Sequence, residues 1–253
     1  MNIVRYKYQG SISYGISDGR RVIKLKNSMF DEPILADEPE IELENVQLLA
    51  PVEPGKIISL GYNYKDLVGE RQTYDEPVIF FKPPSAVIGP GDTIVLRENR
   101  KVWTEVELAI IIKKTCRKVT EEAAPDYILG FTIANDVTMS NRYGRDHHLA
   151  RSKGWDTFCP LGPFIVTDLN ASSLKMTNTI SGTVMQNSTT DKRILGDAAV
   201  VSFLSHFFTL NPGDVILTGT PANAENAVIT GGETVTLSIE GIGTLSNTVK
   251  AAY

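Results

Sequence analysis

Three times along the chain a tight, glycine-containing turn runs directly into a β-prone stretch. Gly89-Pro90-Gly91-Asp92 precedes Thr93-Ile94-Val95-Leu96, and Asn211-Pro212-Gly213-Asp214 precedes Val215-Ile216-Leu217-Thr218. Thr230-Gly231-Gly232-Glu233 precedes Thr234-Val235-Thr236-Leu237. A Pro-Gly pair suits the two central positions of a type II turn, because proline presets its own φ and glycine accepts the positive φ that follows. The units share turn chemistry without the fixed period of a solenoid. They predict a fold made mostly of strands.

The N-terminal segment reads the same way. Ile3-Val4-Arg5-Tyr6-Lys7-Tyr8 is rich in β-formers, and Asp18-Gly19 marks a hairpin turn before Val22-Ile23-Lys24-Leu25. Residues 27–45 turn acidic and carry Pro33 and Pro39, which predicts a linker, with a new unit from about Leu48. The expected organisation is a small N-terminal β-rich domain plus linker over 1–47 and a larger domain over 48–253. One helix is well marked: Asp197 as cap, then Val200, Phe203, Leu204, Phe207 and Phe208 on one apolar stripe that packs on a sheet. A shorter helix is expected from Glu121 to Tyr127. The fold class is α+β, predominantly β.

Charge narrows the function classes. The net charge is −5, from 25 basic and 30 acidic residues, whereas a nucleic-acid binder needs a basic face for phosphates. No apolar run approaches the roughly 18 residues of a membrane span, and the N-terminus lacks an apolar signal core. Cys116 and Cys159 form no metal or redox spacing, so both are expected reduced. These features predict a cytoplasmic protein with no nucleic-acid or membrane partner.

The strand most loaded with chemistry is Thr104-Glu105-Val106-Glu107-Leu108-Ala109-Ile110-Ile111-Ile112. Its period of two puts Glu105, Glu107, Ala109 and Ile111 on one face, with the two carboxylates about 7 Å apart along the strand. Two like charges beside a core repel and are costly to desolvate, and a divalent cation between them removes both costs. A half-exposed strand end with solvated glutamates is the competing reading, and the strand alone does not decide. A second apolar run, Tyr127 to Ala134, ends on Asn135-Asp136. A strand-end aspartate is either a functional acid or a turn former, and spacing does not bring it to the glutamates.

The ordered segments LLAPVEPGKIISLGYNY, EPVIFFKPPSAVIGPGD, TEVELAIII, ILGFTIANDVT, SKGWDTFCPLGPF, LNPGDVILTGTP and IEGIGTLSN together resemble the small bacterial and archaeal branch of the fumarylacetoacetate hydrolase family. The resemblance runs from about Leu48 to Lys250 and includes acylpyruvate hydrolases and 2-hydroxyhepta-2,4-diene-1,7-dioate isomerases. It implies the family's β-roll or sandwich core and a Mg²⁺ or Mn²⁺ site at Glu105, Glu107 and Asp136. An all-oxygen donor set agrees with a hard cation. The cation would chelate a pyruvate-like substrate and stabilise an enolate.

The same resemblance implies that Lys153 pairs with the substrate carboxylate or a developing enolate. It implies substrate contacts at Tyr64, Thr190 and Thr220, a catalytic role for Glu70, and a homodimer. Lys82, in the FFKPPSA segment, matches without an assigned role.

Two departures stand out. Hydrolases of the family carry N-Y-x-D-H-x-x-E, in which a histidine held by a glutamate activates water. Here the glutamate position is Glu70 and the histidine position is Leu67, which accepts no proton. The loop after Asp136 reads Thr138-Met139-Ser140-Asn141 where many relatives have S-A-R-D.

Three readings follow. Glu70 alone takes the proton and hydrolysis persists; or the site performs enolate chemistry without attacking water, such as isomerisation of a hydroxy-dienoate or decarboxylation of oxaloacetate; or one of His147, His148 and His206 substitutes. The expected substrate is a small 2-oxo or 2-hydroxy-dienoic acid. A non-catalytic metal and oxo-acid binding protein is the alternative class. Residues 64–76 are expected to form a mobile lid.

Overall fold

The computed structural model describes residues 1–69, 76–141 and 143–253. Strands make up 42% of the protein and helices 15%, as the turn-plus-strand units predict. In the first two units Gly91 and Gly213 stand at φ 79° and 83°, the positive φ of a type II turn. The acid that closes each turn also caps it. Asp92 accepts the Gly89 N–H (2.7 Å) and Asp214 the Asn211 N–H (2.6 Å). In the third unit Glu233 accepts the N–H groups of Thr230 and Gly231.

The acidic strand, Val106–Ile112, lies deep in a twelve-stranded sheet. It pairs antiparallel with Ile128–Asn135 on one side and with Val215–Leu217 on the other. Val106, Leu108, Ile110 and Ile112 enter one apolar cluster with Met176, Leu237, Ile239 and Leu245 of a second, five-stranded sheet. Ala109 and Ile111 enter a separate cluster with Ile3, Leu161 and Ile165 on the opposite face. Both faces are therefore buried, which explains the near-continuous apolar run. A three-stranded ribbon of Thr138–Met139, Val102–Trp103 and Val228–Ile229 stands beside the start of the acidic strand.

The N-terminal hairpin, Asn2–Tyr8 with Ser11–Ser17, joins the large sheet where Asn2 and Ile3 pair with Val166 and Ile165. The stretch expected as a linker is folded on this unit. Ile41–Glu42 pairs with Arg21–Lys24, and the acidic side chains find cations: Glu40 and Glu42 on Arg21, Glu38 on Lys24. Strand pairing and backbone hydrogen bonds from Lys26 to Ile34 and from Ala36 to Lys24 thus hold a segment whose composition predicted a linker.

Two helical expectations need correction. The helix Asp197–Phe207 is capped by Gly196, and Asp197 lies in its first turn with its carboxylate on Arg193 (2.5 Å). Val200 and Leu204 are buried in the core and Phe203 and Phe208 pack half-buried against it, as expected, but Phe207 is exposed and stacks edge-on on Phe203. From Glu121 to Tyr127 only a 3₁₀ turn, Ala124–Tyr127, forms, because Pro125 has no N–H to donate to Glu121. No helix among the described residues is long and apolar enough to cross a membrane.

Gly130, in the Ile128–Asn135 strand, marks where the neighbouring backbone comes closest. A Cβ there would lie 2.9 Å from the Val166 carbonyl carbon and closer still to its oxygen. Alanine ordinarily improves a strand by about 0.5–1 kcal/mol over glycine. Here we expect Gly130→Ala to lose about 1–3 kcal/mol by overpacking, read as a lower urea midpoint with an unchanged slope.

Candidate functional site

Sheet register assembles the acidic cluster. Val106 pairs with Asn135, so one step further Asp136 stands opposite Glu105 and donates its N–H to the Glu105 carbonyl (3.1 Å). The Asn135 side chain accepts the Glu105 N–H (3.2 Å). At the next position Gln186 Oε1 accepts the Val106 N–H, and Thr220 Oγ1 donates to the Val106 carbonyl. Each backbone group at this strand end is thus held by a buried polar partner.

Glu105, Glu107 and Asp136 are 8%, 1% and 0% exposed, and one oxygen from each lies within 4.8 Å of the others. Burial of three carboxylates needs compensation. Lys82, itself buried, donates to Asp136 Oδ1 (2.5 Å) and to the Lys153 carbonyl (2.6 Å). Lys153 donates to Asp136 Oδ2 (2.6 Å) and Glu105 Oε2 (3.0 Å). Trp103 Nε1 and Thr138 Oγ1 both donate to Glu105 Oε1 at 2.8 Å, and the Gly219 N–H donates to Glu107 Oε2 at 2.6 Å.

Proton affinities split accordingly. Glu107 is pushed well above the usual carboxylate range by burial and by the charges of Asp136 and Glu105, which Lys153 and the Gly219 N–H offset only in part. Burial acts in the same sense on Asp136, but Lys153 and Lys82 outweigh it and hold its carboxyl below that range. For Lys153 burial favours the neutral amine, yet Asp136 and Glu105 overcome it and raise its pKa, so it stays an ammonium.

With all groups ionised, three carboxylates face two ammonium groups, leaving one net negative charge. The donor set fits a hard divalent cation. Three carboxylate oxygens within 4.8 Å of one another are the hard donors that such an ion takes. Glu105, Glu107 and Asp136 would hold it.

The cluster floors a cavity of about 250 Å³. That is below the roughly 300–1,000 Å³ typical of drug-sized ligands and suits a small molecule. Its walls are apolar: Leu60, Leu67, Val78, Phe80, Met139 and Leu149. Leu67, where the family's histidine would stand, is one of them.

Of the residues expected from sequence, Glu105, Glu107, Asp136, Lys153 and Thr220 come together at this cavity. Tyr64 and Thr190 do not. Tyr64 is buried in the main core with its hydroxyl on Met176 Sδ (3.2 Å), and burial raises its pKa. Thr190 Oγ1 is used by the Ala171 carbonyl and the Leu174 N–H. Glu70, and residues 71–75 of the expected lid, lie outside the described residues. None of the three histidines lines the cavity: His147, His148 and His206 are exposed elsewhere.

Sequence reasoning left Lys82 without a role and missed Trp103, Thr138, Ser152 and Glu225. Trp103 and Thr138 flank the two acidic segments, which was the available signal. Ser152 lines the cavity with a buried hydroxyl that has no hydrogen-bond partner among the described residues. Glu225 lies in a stretch of turn-formers with no pattern of its own.

Comparison with known proteins agrees with this architecture. The family described as "Fumarylacetoacetate (FAA) hydrolase C-terminal" matches residues 56–250, and "Rv2993c-like, N-terminal" matches residues 1–51. The structure of a 2-hydroxyhepta-2,4-diene-1,7-dioate isomerase from Mycobacterium marinum aligns with TM-score 0.92 at 37% identity, covering 99% of this chain and 98% of that one. A maleylpyruvate hydrolase from Sphingobium sp. SYK-6, in complex with manganese(II) and pyruvate, aligns with TM-score 0.82 at 28% identity over 100% of both chains. The oxaloacetate tautomerase fahd2 of Xenopus laevis mitochondria is 37% identical over 81% of this chain and 69% of its own length.

Two outcomes follow for the metal-free protein. Because the folded state holds the Glu107 proton more tightly than the unfolded chain does, stability falls as pH rises above the ordinary carboxylate value of about 4.3. Glu107→Gln keeps the acceptor for Gly219 and removes this loss. In chelator at pH 7 it should melt higher than wild type by at least about 2–4 °C, the shift of roughly 1 kcal/mol in a chain of this size, with the gap closing below about pH 4. Lys82→Met leaves the buried Asp136 with Lys153, shared with Glu105, as its one ammonium partner, and should cost up to about 3–5 kcal/mol in urea unfolding at neutral pH.

Proposed function

The chain belongs to the fumarylacetoacetate hydrolase family, and from that premise we propose that it is a Mg²⁺- or Mn²⁺-dependent enzyme that moves a proton on a small 2-oxo acid. The reaction is tautomerisation or isomerisation rather than hydrolysis. One observation carries this reading: the carboxylate and lysine cluster floors the cavity, while Leu67 is part of its apolar wall. A bound divalent cation supplies Lewis acidity that stabilises negative charge on the 2-oxygen of the substrate.

The chain's own residues supply the rest. Lys153, kept cationic by Asp136 and Glu105, offers its charge to the substrate carboxylate. Its ammonium also lies 5.0 Å from the centroid of the Phe80 ring, which fixes its direction. Ser152 brings an unused hydroxyl to the same wall. Leu60, Leu67, Val78 and Phe80 keep water scarce, and a leucine does not deprotonate the water that C–C cleavage requires. The solved isomerase and the curated tautomerase among the relatives support proton transfer as the native chemistry.

The proposal extends to a homodimer. Phe81 and Phe207 expose aromatic surface that a second copy would cover. A cytoplasmic location goes with it, and the two unpaired, buried cysteines are in keeping with a reducing compartment.

The test is a substrate panel with added Mg²⁺: enol oxaloacetate, a hydroxy-dienoic dioate and an acylpyruvate. We expect one of the first two to turn over at least about 100-fold faster than acylpyruvate cleavage. Activity should vanish with chelator and in Glu107→Ala. Acylpyruvate cleavage as the fastest reaction, or full activity of Glu107→Ala, would overturn the reading. Leu67→His should raise acylpyruvate cleavage by about 10-fold or more, since it restores a group able to accept a proton from water.

A further inference from the structure

Enolising a 2-oxo acid needs a group that takes a proton from C-3. The described groups lining the cavity that exchange protons readily are Glu105, Glu107, Asp136, Lys153 and Glu225. Four of them are committed. Asp136 is held by two ammonium groups, and Glu105 by Lys153, Trp103 and Thr138. Glu107 accepts from Gly219 and completes the cation site. Lys153 is fixed as an ammonium by its two carboxylates and has no lone pair to offer.

Glu225 differs from all four. It lies on a 3₁₀ turn, Ala224–Asn226, at the exposed rim of the cavity, and among the described residues its carboxylate has no hydrogen-bond or ion-pair partner. Its backbone is nonetheless anchored. The Ala227 N–H donates to the Ala224 carbonyl (2.9 Å), and the Ala227 carbonyl accepts the Thr104 N–H (3.0 Å). The next residue, Val228, pairs with Trp103, whose indole holds Glu105. The turn that carries Glu225 therefore hangs from the strand segment that carries the acidic cluster. Glu225 and the three carboxylates line one cavity of about 250 Å³, room for a single small molecule in reach of both.

We propose that Glu225 is the proton-transfer residue of this cavity, removing and returning the C-3 proton of a bound 2-oxo acid. The inference rests on the reading of the site as a metal-dependent tautomerase or isomerase. In the step, the C-3–H bond breaks and its proton passes to the Glu225 carboxylate. The released electron pair forms the C-2–C-3 double bond, and the carbonyl π pair moves onto the 2-oxygen. The reverse step returns the proton, or a solvent deuteron after exchange, to carbon.

Solvent exchange isolates this step from any complete turnover. The methyl protons of pyruvate are followed by ¹H NMR in D₂O with Mg²⁺, against a protein-free blank. Wild type is compared with Glu225→Gln, Glu225→Asp and Glu70→Gln, and the rise in melting temperature on adding Mg²⁺ with oxalate is measured for each. We expect Glu225→Gln to slow exchange by about 100-fold or more while keeping the wild-type thermal shift, and Glu225→Asp to recover part of the rate.

Wild-type exchange in Glu225→Gln would overturn the assignment and leave the metal-dependent reading standing. So would loss of exchange in Glu70→Gln alone, or loss of the thermal shift in Glu225→Gln, which would make the residue part of ligand binding. A wild type that exchanges no faster than the blank would remove the reading and this assignment together.

Discussion

The compensation of three buried carboxylates by two buried lysines is the constraint on which the rest of the molecule turns. An ionised carboxylate left without partners inside a protein is too costly to persist and takes up a proton instead. Here Lys82 and Lys153 clasp the two oxygens of Asp136 from different directions, and Lys153 reaches on to Glu105. That arrangement requires four segments distant in sequence to meet: the strand end at Lys82, the acidic strand, the strand end at Asp136 and the short helix Ala150–Lys153. The sheet order meets part of this demand, because Ile128–Asn135 is the immediate neighbour of Val106–Ile112. The backbone groups of Val106 are held by Gln186 and Thr220 so that the glutamates on either side keep their direction.

Much of this was legible in the sequence, and the boundary has a physical cause. Period-two alternation correctly put Glu105 and Glu107 on one face, since Ala109 and Ile111 follow them into a cluster separate from that of Leu108 and Ile110. Local turn chemistry correctly foresaw positive φ at Gly91 and Gly213. What periodicity does not encode is register. Asp136 reaches Glu105 only because Val106 pairs with Asn135, a relation between residues twenty-nine positions apart. The ordered family motifs supplied that relation, and the geometry accounts for it.

The misplacements have the same origin. The motif implies a substrate contact at Tyr64, yet its hydroxyl is occupied by Met176 in the core, and its neighbour Asn63 spends its amide on the carbonyls of Leu195 and Thr218. Asp197 reads as a cap until Arg193, four residues earlier, takes its carboxylate. In each case a tertiary partner overrides a local preference. The acidic stretch 27–45 is another instance, for its charges meet Arg21 and Lys24 across a strand pair that composition does not reveal.

The two lysines carry the same charge but are not equivalent. Lys82 comes from the edge strand Val78–Lys82 and is sealed under the cluster, its donors spent on Asp136, the Lys153 carbonyl and, more distantly, the Val137 carbonyl. An ammonium has three protons to donate, so nothing remains for a ligand. Lys153 spends two on carboxylates and lines the cavity, which leaves one proton uncommitted to the cluster. Lys82 also holds the carbonyl of Lys153, so the buried lysine fixes the backbone from which the cavity-facing one extends. The two lysines thus divide the work on one aspartate: Lys82 is spent wholly inside the cluster, and Lys153 compensates two carboxylates while facing the cavity.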